Sequence, residues 1–561
     1  MHGRYCGEAL RQDEFRGAEL TAKPSTAAPT GSPVNQTLSS PSQSIEPEAL
    51  SLPSPAANGR LPLYGALAVL TLGMLVFSQT KSFFWDEGFH ILAAYLIHTG
   101  KRPYLDFFFP QTPLNAYWNA AWMTLFGPSW RIVHAVAAMA TMGSVILMVG
   151  YVFALFRDHR LQLGRQLGRH SGWPLAAALA GLALFGLRSE VWIVGALSQA
   201  YPLCLLLVAV AFRVAIVAVA RPRVAMSALA GLCAGTAAAC SLLTAAVSPV
   251  LLIWMWLHNR AGNRWTKCAA FVGGAMVAFV PVMALFARGP HQVIFNILKY
   301  HSVYRRVSWA GATSHDIGVA TDWVNSSPTL LFVLLAIAGL FFLQKSQTFF
   351  IEKNVGTGRR AELWLCLWLA LAIGAQNLLA HPTFPMYFVF MIPFLTVLAV
   401  VGFCGVVEWL GTPGGPAGAV MVLVCVMAAC LTNSLYEYYS YTWPELKEVA
   451  DKVKQVTPQG GSLYAPEHIY FLTRLPVPSG MEHSDAHKLD LGPAENAALH
   501  ILPKAEVDRQ IQAGAFSTAV VCEDPERVNV LKGWNVYSQA AEFEECTIFW
   551  QVQKKNAQPP Q

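Results

Sequence analysis

Long apolar segments recur along most of the chain, separated by short polar stretches. A run of about 20 apolar residues is long enough to cross roughly 30 Å of hydrocarbon as a helix. The pattern therefore predicts an all-α polytopic membrane protein with about eleven transmembrane helices. The predicted spans cover residues 61–79, 130–156, 174–190, 200–220, 224–240, 242–257, 268–287, 328–344, 361–380, 384–410 and 418–435.

The segment from Pro113 to Phe126 is treated differently, because it is short and Asn115 and Asn119 interrupt it. We interpret it as a surface or re-entrant helix. With this choice the basic loop residues all fall on one side of the membrane, as the positive-inside rule requires of a cytoplasmic face. These residues are Arg157, Arg160, Arg165, Arg169, Arg221, Arg223, Arg260, Arg264, Lys267, Lys345, Lys353, Arg359 and Arg360.

This sidedness predicts a multi-pass protein of the plasma (inner) membrane with a cytoplasmic N-terminus. The loop that contains Asp86, the loop 288–327, His381 and the chain after Leu435 are then extracytoplasmic.

The composition agrees with a membrane protein. Hydrophobic residues make up 54% of the chain and charged residues 13%, and the mean hydropathy is +0.40. A soluble globular chain usually has about 25% charged residues. The net charge of +6 is small for 561 residues, and basic residues cluster in the loops predicted to lie on one face of the membrane. No nucleic-acid partner is therefore expected.

Both ends of the chain differ from the middle. Residues 1–60 are rich in Ser, Thr, Pro and Ala and are predicted to form a disordered cytoplasmic tail. Residues 61–435 form the predicted membrane domain. Residues 436–561 have a soluble composition, with an amphipathic helix near 446–456 and strand-like segments at 462–464, 517–522 and 547–552. They predict a small extracytoplasmic α/β domain.

Two cysteines in that last region flank strand candidates. An extracytoplasmic compartment permits a bridge between Cys522 and Cys546, but the sequence leaves open whether they form one.

Adjacent carboxylates, Asp86 and Glu87, follow the first span at the outer mouth of the membrane. Carboxylates are costly at membrane depth and need a partner, a capping role or chemistry. Asp86 also precedes an amphipathic run that includes Phe89 and Leu92, which is typical of a helix N-cap. The two roles are compatible.

Nucleotide-binding motifs are absent from the sequence: it has no Walker loop and no GxGxxG segment between a strand and a helix. HExxH and CxxC motifs are absent as well. A group-transfer reaction at the outer surface would therefore use a donor that reaches this side by another route, such as a lipid carrier.

Four short segments follow the first span in a fixed order. They are Trp85-Asp86-Glu87-Gly88-Phe89-His90, Tyr104-Leu105-Asp106-Phe107, Gln111-Thr112-Pro113-Leu114 and Leu125-Phe126-Gly127-Pro128-Ser129 with Arg131. In order and spacing they resemble the N-terminal half of the GT-C superfamily of membrane glycosyltransferases. The chain is most similar to the protein O-mannosyltransferase and lipid A aminoarabinose transferase branch and to RgtA/B/C/D-like glycosyltransferase domains.

This resemblance implies an enzyme that passes a sugar from a polyprenyl-phosphate carrier to an extracytoplasmic acceptor with inversion. It implies that Asp86 is the catalytic base or a group that orients the acceptor, and we assign the base to Asp86. Glu87 would point elsewhere on a helix, and it is expected to orient the acceptor or to pair with a nearby cation. It also implies that His381 lies near the donor phosphate, followed by the aromatic Tyr387. Several relatives have a second functional Asp after the third span, where this chain has Glu190 as the available carboxylate.

Cations for the phosphate are found in the loop 288–327. Lys299, Arg305 and Arg306 are interleaved with tyrosines there, and Arg binds phosphate through two hydrogen bonds. The alternative is an interfacial helix whose cations contact anionic lipid heads. His90 lies one helical turn after Asp86 and can support it or the acceptor, and Asp106 is expected to be a turn residue with a minor acceptor role.

Other functions stay open from the sequence. A transporter or flippase of lipid-linked sugars would also be polytopic, but inverted repeats and charges near the midplane would be expected. A scaffold that presents the C-terminal region would not explain Asp86. The expected partners are a polyprenyl-phosphate-linked sugar, membrane lipids and a glycan, lipid or protein acceptor. The sequence predicts no metal ligand set and leaves open whether a divalent cation takes part.

Overall fold

The structure is a computed structural model that describes residues 60–83, 86–157, 172–305, 311–345, 357–411, 415–437 and 443–553. The predicted disordered tail, apart from Arg60, lies outside the described residues, and so does Arg306.

Helices account for nearly all of the described chain up to residue 437. The α-helices there are α1 (Leu61–Thr80), α2 (Glu87–His98), α3 (Leu114–Phe126), α4 (Trp130–Arg157), α5 (Trp173–Gly186), α6 (Ser189–Gly195), α7 (Tyr201–Ala220), α8 (Val224–Cys240), α9 (Val247–His258), α10 (Arg264–Ala278), α11 (Val280–Phe286), α12 (Pro290–Ile294), α13 (Ala312–Asn325), α14 (Ser327–Lys345), α15 (Thr357–Leu378), α16 (Ile392–Leu410) and α17 (Gly415–Glu437). A π-helix covers Phe295–Tyr304, and 3₁₀-helices cover Leu242–Thr244 and Pro385–Met391.

Membrane-spanning helices are numerous, as the apolar pattern predicts. Among the described residues, seven helices are long and apolar enough to cross a membrane, or nine if the bent pairs α5–α6 and α10–α11 each form one span. The helices in these pairs meet at 59° and 51°. Two shorter apolar helical segments, Val224–Cys240 and Leu242–His258, occupy two further predicted spans. The chain is a multi-pass membrane protein, and the count of eleven spans stays a prediction.

Small residues bring several of these helices into close contact. A Cβ atom added at Gly231 of α8 would lie 1.9 Å from the carbonyl oxygen of Phe271 in α10, and one at Gly402 of α16 would lie 1.8 Å from that of Leu335 in α14. Close backbone approach of this kind stabilises helix pairs where apolar burial alone gives no preference between protein and lipid. Larger side chains at either glycine would separate the helices.

The C-terminal region contains helices and a small sheet, as predicted. Its elements are α18 (Trp443–Val456), β1 (Leu463–Tyr464), α19 (Glu467–Thr473), a 3₁₀-helix (Ser484–Lys488), α20 (Pro493–Ala498), α21 (Lys504–Gln512), β2 (Thr518–Cys522), α22 (Pro525–Trp534), β3 (Tyr537–Glu542) and β4 (Cys546–Val552). The strand order is β1-β2-β4-β3, with β1 and β2 parallel and the other pairs antiparallel.

Helix α2 connects this region to the membrane helices. It packs against α3 on one side and α19 on another. Gly88 permits the second contact, because a Cβ atom there would lie 3.3 Å from the backbone nitrogen of His468. Phe89 and Leu92 of α2 share an apolar core with Ile469 and Tyr470 of α19. The helix that follows Asp86 is therefore held by the C-terminal region.

The register of the sheet places Cys522 of β2 directly opposite Cys546 of β4, and the two form a disulfide. We expect the Cys522→Ala/Cys546→Ala variant to lose about 3 kcal/mol of stability in this region, because the bridge closes a loop of 24 residues in the unfolded chain. Thermal unfolding of the purified protein measures this loss.

The matched control is Cys425→Ala, which removes an exposed thiol of α17. Equal unfolding temperatures for the double variant and the control would contradict a stabilising bridge.

Candidate active site

A cavity of about 620 Å³ lies between the membrane helices and the C-terminal region. Several separate parts of the chain build its wall. They are the start of α2, the end of the π-helix, the segment after α15, the segment around the 3₁₀-helix Ser484–Lys488, and short stretches at 110–111, 199–201 and 241–243. The ionisable side chains that line it are Asp86, His90, Tyr201, Tyr300, His301, Tyr304, Arg305, Tyr387, His483, Asp485, Lys488 and Asp490.

Asp86 lies immediately before the first residue of α2. Its side chain makes no capping hydrogen bond to that helix, so the capping alternative is not what the structure shows. The carboxylate is instead open to the cavity. Because protein encloses the cavity, burial raises the pKa of Asp86, and this rise is opposed by the charges of His483 and Arg305 and increased by that of Asp485. A raised pKa suits a carboxylate that must accept a proton.

Glu87 points away from the cavity, and its side chain is fully buried. Its Oε1 accepts a hydrogen bond from the Ser198 backbone N–H (2.6 Å) and lies 2.7 Å from His134 Nε2. His134 Nδ1 lies 3.0 Å from the Ser78 carbonyl oxygen. These contacts tie α2 to α4, to the end of α1 and to the turn before α7.

Arg305 follows the last residue of the π-helix, an element that is frequent at functional sites. Its Nη2 donates a hydrogen bond to the Tyr387 hydroxyl (2.9 Å), and its guanidinium carbon lies 5.5 Å from the centre of the Phe384 ring. Tyr300 also faces the cavity, and burial raises its pKa to about 12, so its hydroxyl remains protonated. These groups supply hydrogen-bond donors and positive charge on one side of the cavity.

A second recess of about 330 Å³ adjoins the first and shares Arg305, Tyr387 and His301 with it. Much of its remaining wall is apolar. The aliphatic residues of that wall are Leu242, Leu243, Ile297, Leu298, Leu379 and Ala380. Leu298 and Leu379 are also exposed on the outside of the protein, as expected of side chains that meet lipid. Arg305 and Tyr387 therefore stand where a polar cavity meets an apolar recess.

Several site residues that the sequence predicts lie outside the cavity wall. Lys299 is exposed, lies 3.8 Å from Glu495 and does not line the cavity. Asp106 accepts hydrogen bonds from the Arg102 guanidinium (2.7 and 2.9 Å) at the surface, where this contact lowers its pKa. The structure does not bring these two residues to Asp86.

Two other nominated residues also have local partners. Glu190 pairs with Arg188 (2.5 Å), whose guanidinium also donates to Thr329 (2.7 Å). His381 Nδ1 is hydrogen-bonded to Asp316, although Pro382 beside it lines the cavity. Only Asp86, His90, Arg305 and Tyr387 of the predicted site residues face the cavity in the described part of the chain.

The C-terminal region contributes cavity residues that the sequence pattern does not predict. His483, Asp485 and Lys488 enter the cavity wall from a segment almost 400 residues after Asp86. No spacing rule connects residues so far apart. The only local signal is the dense polar run from Glu482 to Lys488, which is also ordinary for a surface loop.

Two imidazoles flank Phe89 in this wall. The His90 ring stacks on Phe89 at 4.3 Å between centroids, and the His483 ring at 4.6 Å. Both histidines are more than 90% buried, and Nδ1 of each has no hydrogen-bond partner among the described residues. Burial lowers the pKa of His90 to about 3, so it is neutral near pH 7 and can both donate and accept a hydrogen bond.

The described residues contain no group of three or more His, Cys, Asp or Glu side chains that could hold a metal ion.

Comparison with protein-family models and with curated proteins gives no match. Solved structures do match. ArnT from Cupriavidus metallidurans, in its apo state and bound to undecaprenyl phosphate, superposes with a TM-score of 0.60 at 16% identity, covering 88% of this chain and 98% of ArnT. The archaeal oligosaccharyltransferase AglB from Archaeoglobus fulgidus gives a TM-score of 0.46 at 10% identity, covering 85% of this chain and 72% of AglB.

The fold defines a polytopic membrane protein with a C-terminal region that covers a cavity between it and the membrane helices. Its fold is that of ArnT, a GT-C protein, over most of the length of both chains. The fold that the first outer loop predicted is confirmed.

The buried pair at the start of α2 generates a stability prediction. We expect Glu87→Ala to destabilise the protein by about 3–5 kcal/mol, because it removes one partner of a buried hydrogen-bonded pair. His134 and the Ser198 N–H would both lose their acceptor. Thermal unfolding and the yield of monodisperse protein measure the effect.

Glu448→Ala, which truncates an exposed glutamate of α18, is the control. If both variants unfolded at the same temperature, Glu87 would have no such anchoring role.

Proposed function

We propose that this protein is an integral-membrane glycosyltransferase that moves a sugar from a polyprenyl-phosphate donor to an extracytoplasmic acceptor, with inversion at the anomeric carbon. The observation that carries the proposal is the position of Asp86 and Arg305 in one cavity that opens into an apolar recess. This combination offers a base, a phosphate-binding cation and space for a lipid chain.

The donor side rests on Arg305 and Tyr387. A guanidinium binds phosphate through charge-assisted hydrogen bonds, and the Tyr387 hydroxyl that it contacts can donate one more. The adjoining recess would accept the first isoprenyl units of the carrier. The solved ArnT structure of the same fold holds undecaprenyl phosphate, which supports a lipid phosphate as the ligand class. Arg306 stays a proposed second cation, since it lies outside the described residues.

The reaction follows from these groups as a single displacement. The acceptor hydroxyl gives its proton to the Asp86 carboxylate while its oxygen bonds to the anomeric carbon. The bond from that carbon to the phosphate oxygen breaks, and the electron pair leaves with the polyprenyl phosphate. Arg305 stabilises the charge that develops on this phosphate. Attack from the side opposite to the leaving group inverts the anomeric configuration.

The remaining nominated residues take supporting roles. His90, next to the base on α2, offers a neutral imidazole to a hydroxyl group of the acceptor or the sugar. Glu87 positions Asp86 through its buried pairing with His134, in place of contacting the acceptor itself. Lys299, Asp106 and Glu190 would act on the substrates only after a rearrangement that breaks their present contacts.

The proposed orientation of the protein in the membrane rests on the basic loops. Lys267 Nζ donates hydrogen bonds to the carbonyl oxygens of Ala218 and Arg221, which places the end of α7 beside the start of α10. Two basic clusters therefore share one face. We assign this face to the cytoplasm by the positive-inside rule, which puts Asp86 and the α/β domain 436–561 outside an inner membrane.

The base is tested by Asp86→Asn, which removes the proton acceptor with little change of shape. We expect glycosyl transfer to fall by at least about 100-fold, the lower range for a lost general base. Donor consumption by purified protein, with a panel of polyprenyl-phosphate sugars, measures it.

The control is Asp490→Asn, which neutralises another carboxylate of the cavity wall. It measures how far the loss of one negative charge alone lowers donor consumption. Donor consumption that Asp86→Asn left unaffected would remove Asp86 from the mechanism.

The donor site is tested by Arg305→Ala. We expect its affinity for undecaprenyl phosphate to fall by about tenfold or more, since a charge-assisted hydrogen bond to an anion is lost. A binding titration in detergent micelles or nanodiscs measures the affinity. Lys299→Ala removes a nearby exposed cation and should change the affinity little; an equal loss in both variants would indicate general charge attraction in place of a phosphate site.

A further inference from the structure

Asp316 of α13 is a buried carboxylate that lies outside the lining of both cavities. Its side chain is almost fully enclosed, and the residue is 5% exposed. A carboxylate is buried at a high cost in free energy unless donors surround it. Asp316 has such donors: the Thr383 N–H donates to Oδ1 (2.7 Å), His381 Nδ1 donates to Oδ2, and His315 Nδ1 lies 3.3 Å from Oδ1.

These contacts keep Asp316 ionised. Burial by itself would raise its pKa, but the hydrogen bonds from Thr383, His381 and His315 outweigh this effect and hold the pKa below the usual value. The acceptor is therefore a full negative charge near neutral pH, and its hydrogen bonds are of the stronger, charge-assisted kind.

The segment that Asp316 holds leads directly to the phosphate-binding cation. Residues 381–387 include the end of the connection from α15 and the first three residues of the 3₁₀-helix Pro385–Met391. Phe384 of this segment lies under the Arg305 guanidinium, and Tyr387 accepts a hydrogen bond from it. The side chains that orient Arg305 thus belong to the 381–387 segment, which Asp316 holds in place.

A second set of hydrogen bonds ties the 381–387 segment to α15. Thr383 Oγ1 donates to the Asn377 carbonyl oxygen (2.7 Å), and Asn377 Nδ2 donates to the Tyr387 carbonyl oxygen (2.6 Å). Asp316 joins the same segment to α13, a different helix, through hydrogen bonds that a charged group accepts.

We propose that Asp316 is a positioning residue of the donor-phosphate site: by anchoring residues 381–387 to α13, it orients the Arg305 guanidinium toward the phosphate of the lipid donor. The inference rests on the proposed function. His381 accordingly acts on the donor through Asp316 and the 381–387 segment and makes no contact of its own with the phosphate.

The test measures binding of undecaprenyl phosphate to the full chain in nanodiscs. We expect Asp316→Asn to weaken binding about tenfold, because the neutral amide loses the charge that holds His381 and Thr383. Asp316→Glu keeps the charge and should recover part of the affinity. Asp322→Asn, an exposed change on the same helix, should bind like the wild type.

Binding measured in the Arg305→Ala background separates a positioning role of Asp316 from a merely structural one. If Asp316 acts through Arg305, adding Asp316→Asn to Arg305→Ala should weaken binding no further. A full tenfold loss in that background would overturn the inference. Where Asp316→Asn yields too little folded protein, His381→Phe removes one donor and keeps the carboxylate, and it should show a smaller loss with the same dependence on Arg305.

The outcomes distinguish the two proposals. A wild-type protein that does not bind undecaprenyl phosphate contradicts the proposed function and the inference with it. A wild type that binds, with Asp316→Asn and His381→Phe binding equally well, overturns the inference alone.

Discussion

Enclosure in one cavity determines what Asp86 and Arg305 require from the rest of the protein. Both side chains face a cavity that the membrane helices leave open and the C-terminal region covers. Charges interact far more strongly in such a place than in open water, because the surrounding protein lowers the effective dielectric constant. The same enclosure makes each charge costly to keep, so the protein must fix both by contacts with several elements.

The supporting contacts show how this cost is met. On the Asp86 side, the Glu87–His134 pair holds the start of α2, and Gly88 lets α19 approach it. On the Arg305 side, Tyr387 and Phe384 contact the guanidinium. Glu87 is thus a buried carboxylate that holds the geometry while Asp86 faces the cavity, and we propose a corresponding role for Asp316 beside Arg305.

The sequence predicts the framework well for physical reasons. Apolar segments of membrane length are visible without any tertiary information, and each of the eleven predicted spans coincides with helical chain. Asn115 and Asn119 favour a surface or re-entrant helix for α3, which stays a prediction, and in the structure both donate to the Ser198 carbonyl oxygen. Asp86 is conspicuous in the sequence because a carboxylate directly after an apolar span is unusual.

The rest of the site depends on distant contacts that no local pattern encodes. Glu87 and Asp86 are neighbours in sequence, yet the helix turns one toward His134 and the other toward the cavity. His381 resembled a phosphate ligand, and Asp316, which engages it, lies 65 residues earlier. The wall around His483 comes from a separate part of the chain. Contacts between residues so far apart in sequence can be recognised only in the folded structure.

A structure of the protein with bound undecaprenyl phosphate would show whether the lipid phosphate binds beside Arg305. We expect the phosphate within hydrogen-bond distance of Arg305 and Tyr387, in the same cavity as Asp86, with the first isoprenyl units in the recess lined by Leu298 and Leu379. A phosphate bound away from this cavity, or at the face of the membrane that carries Arg221 and Lys267, would contradict it.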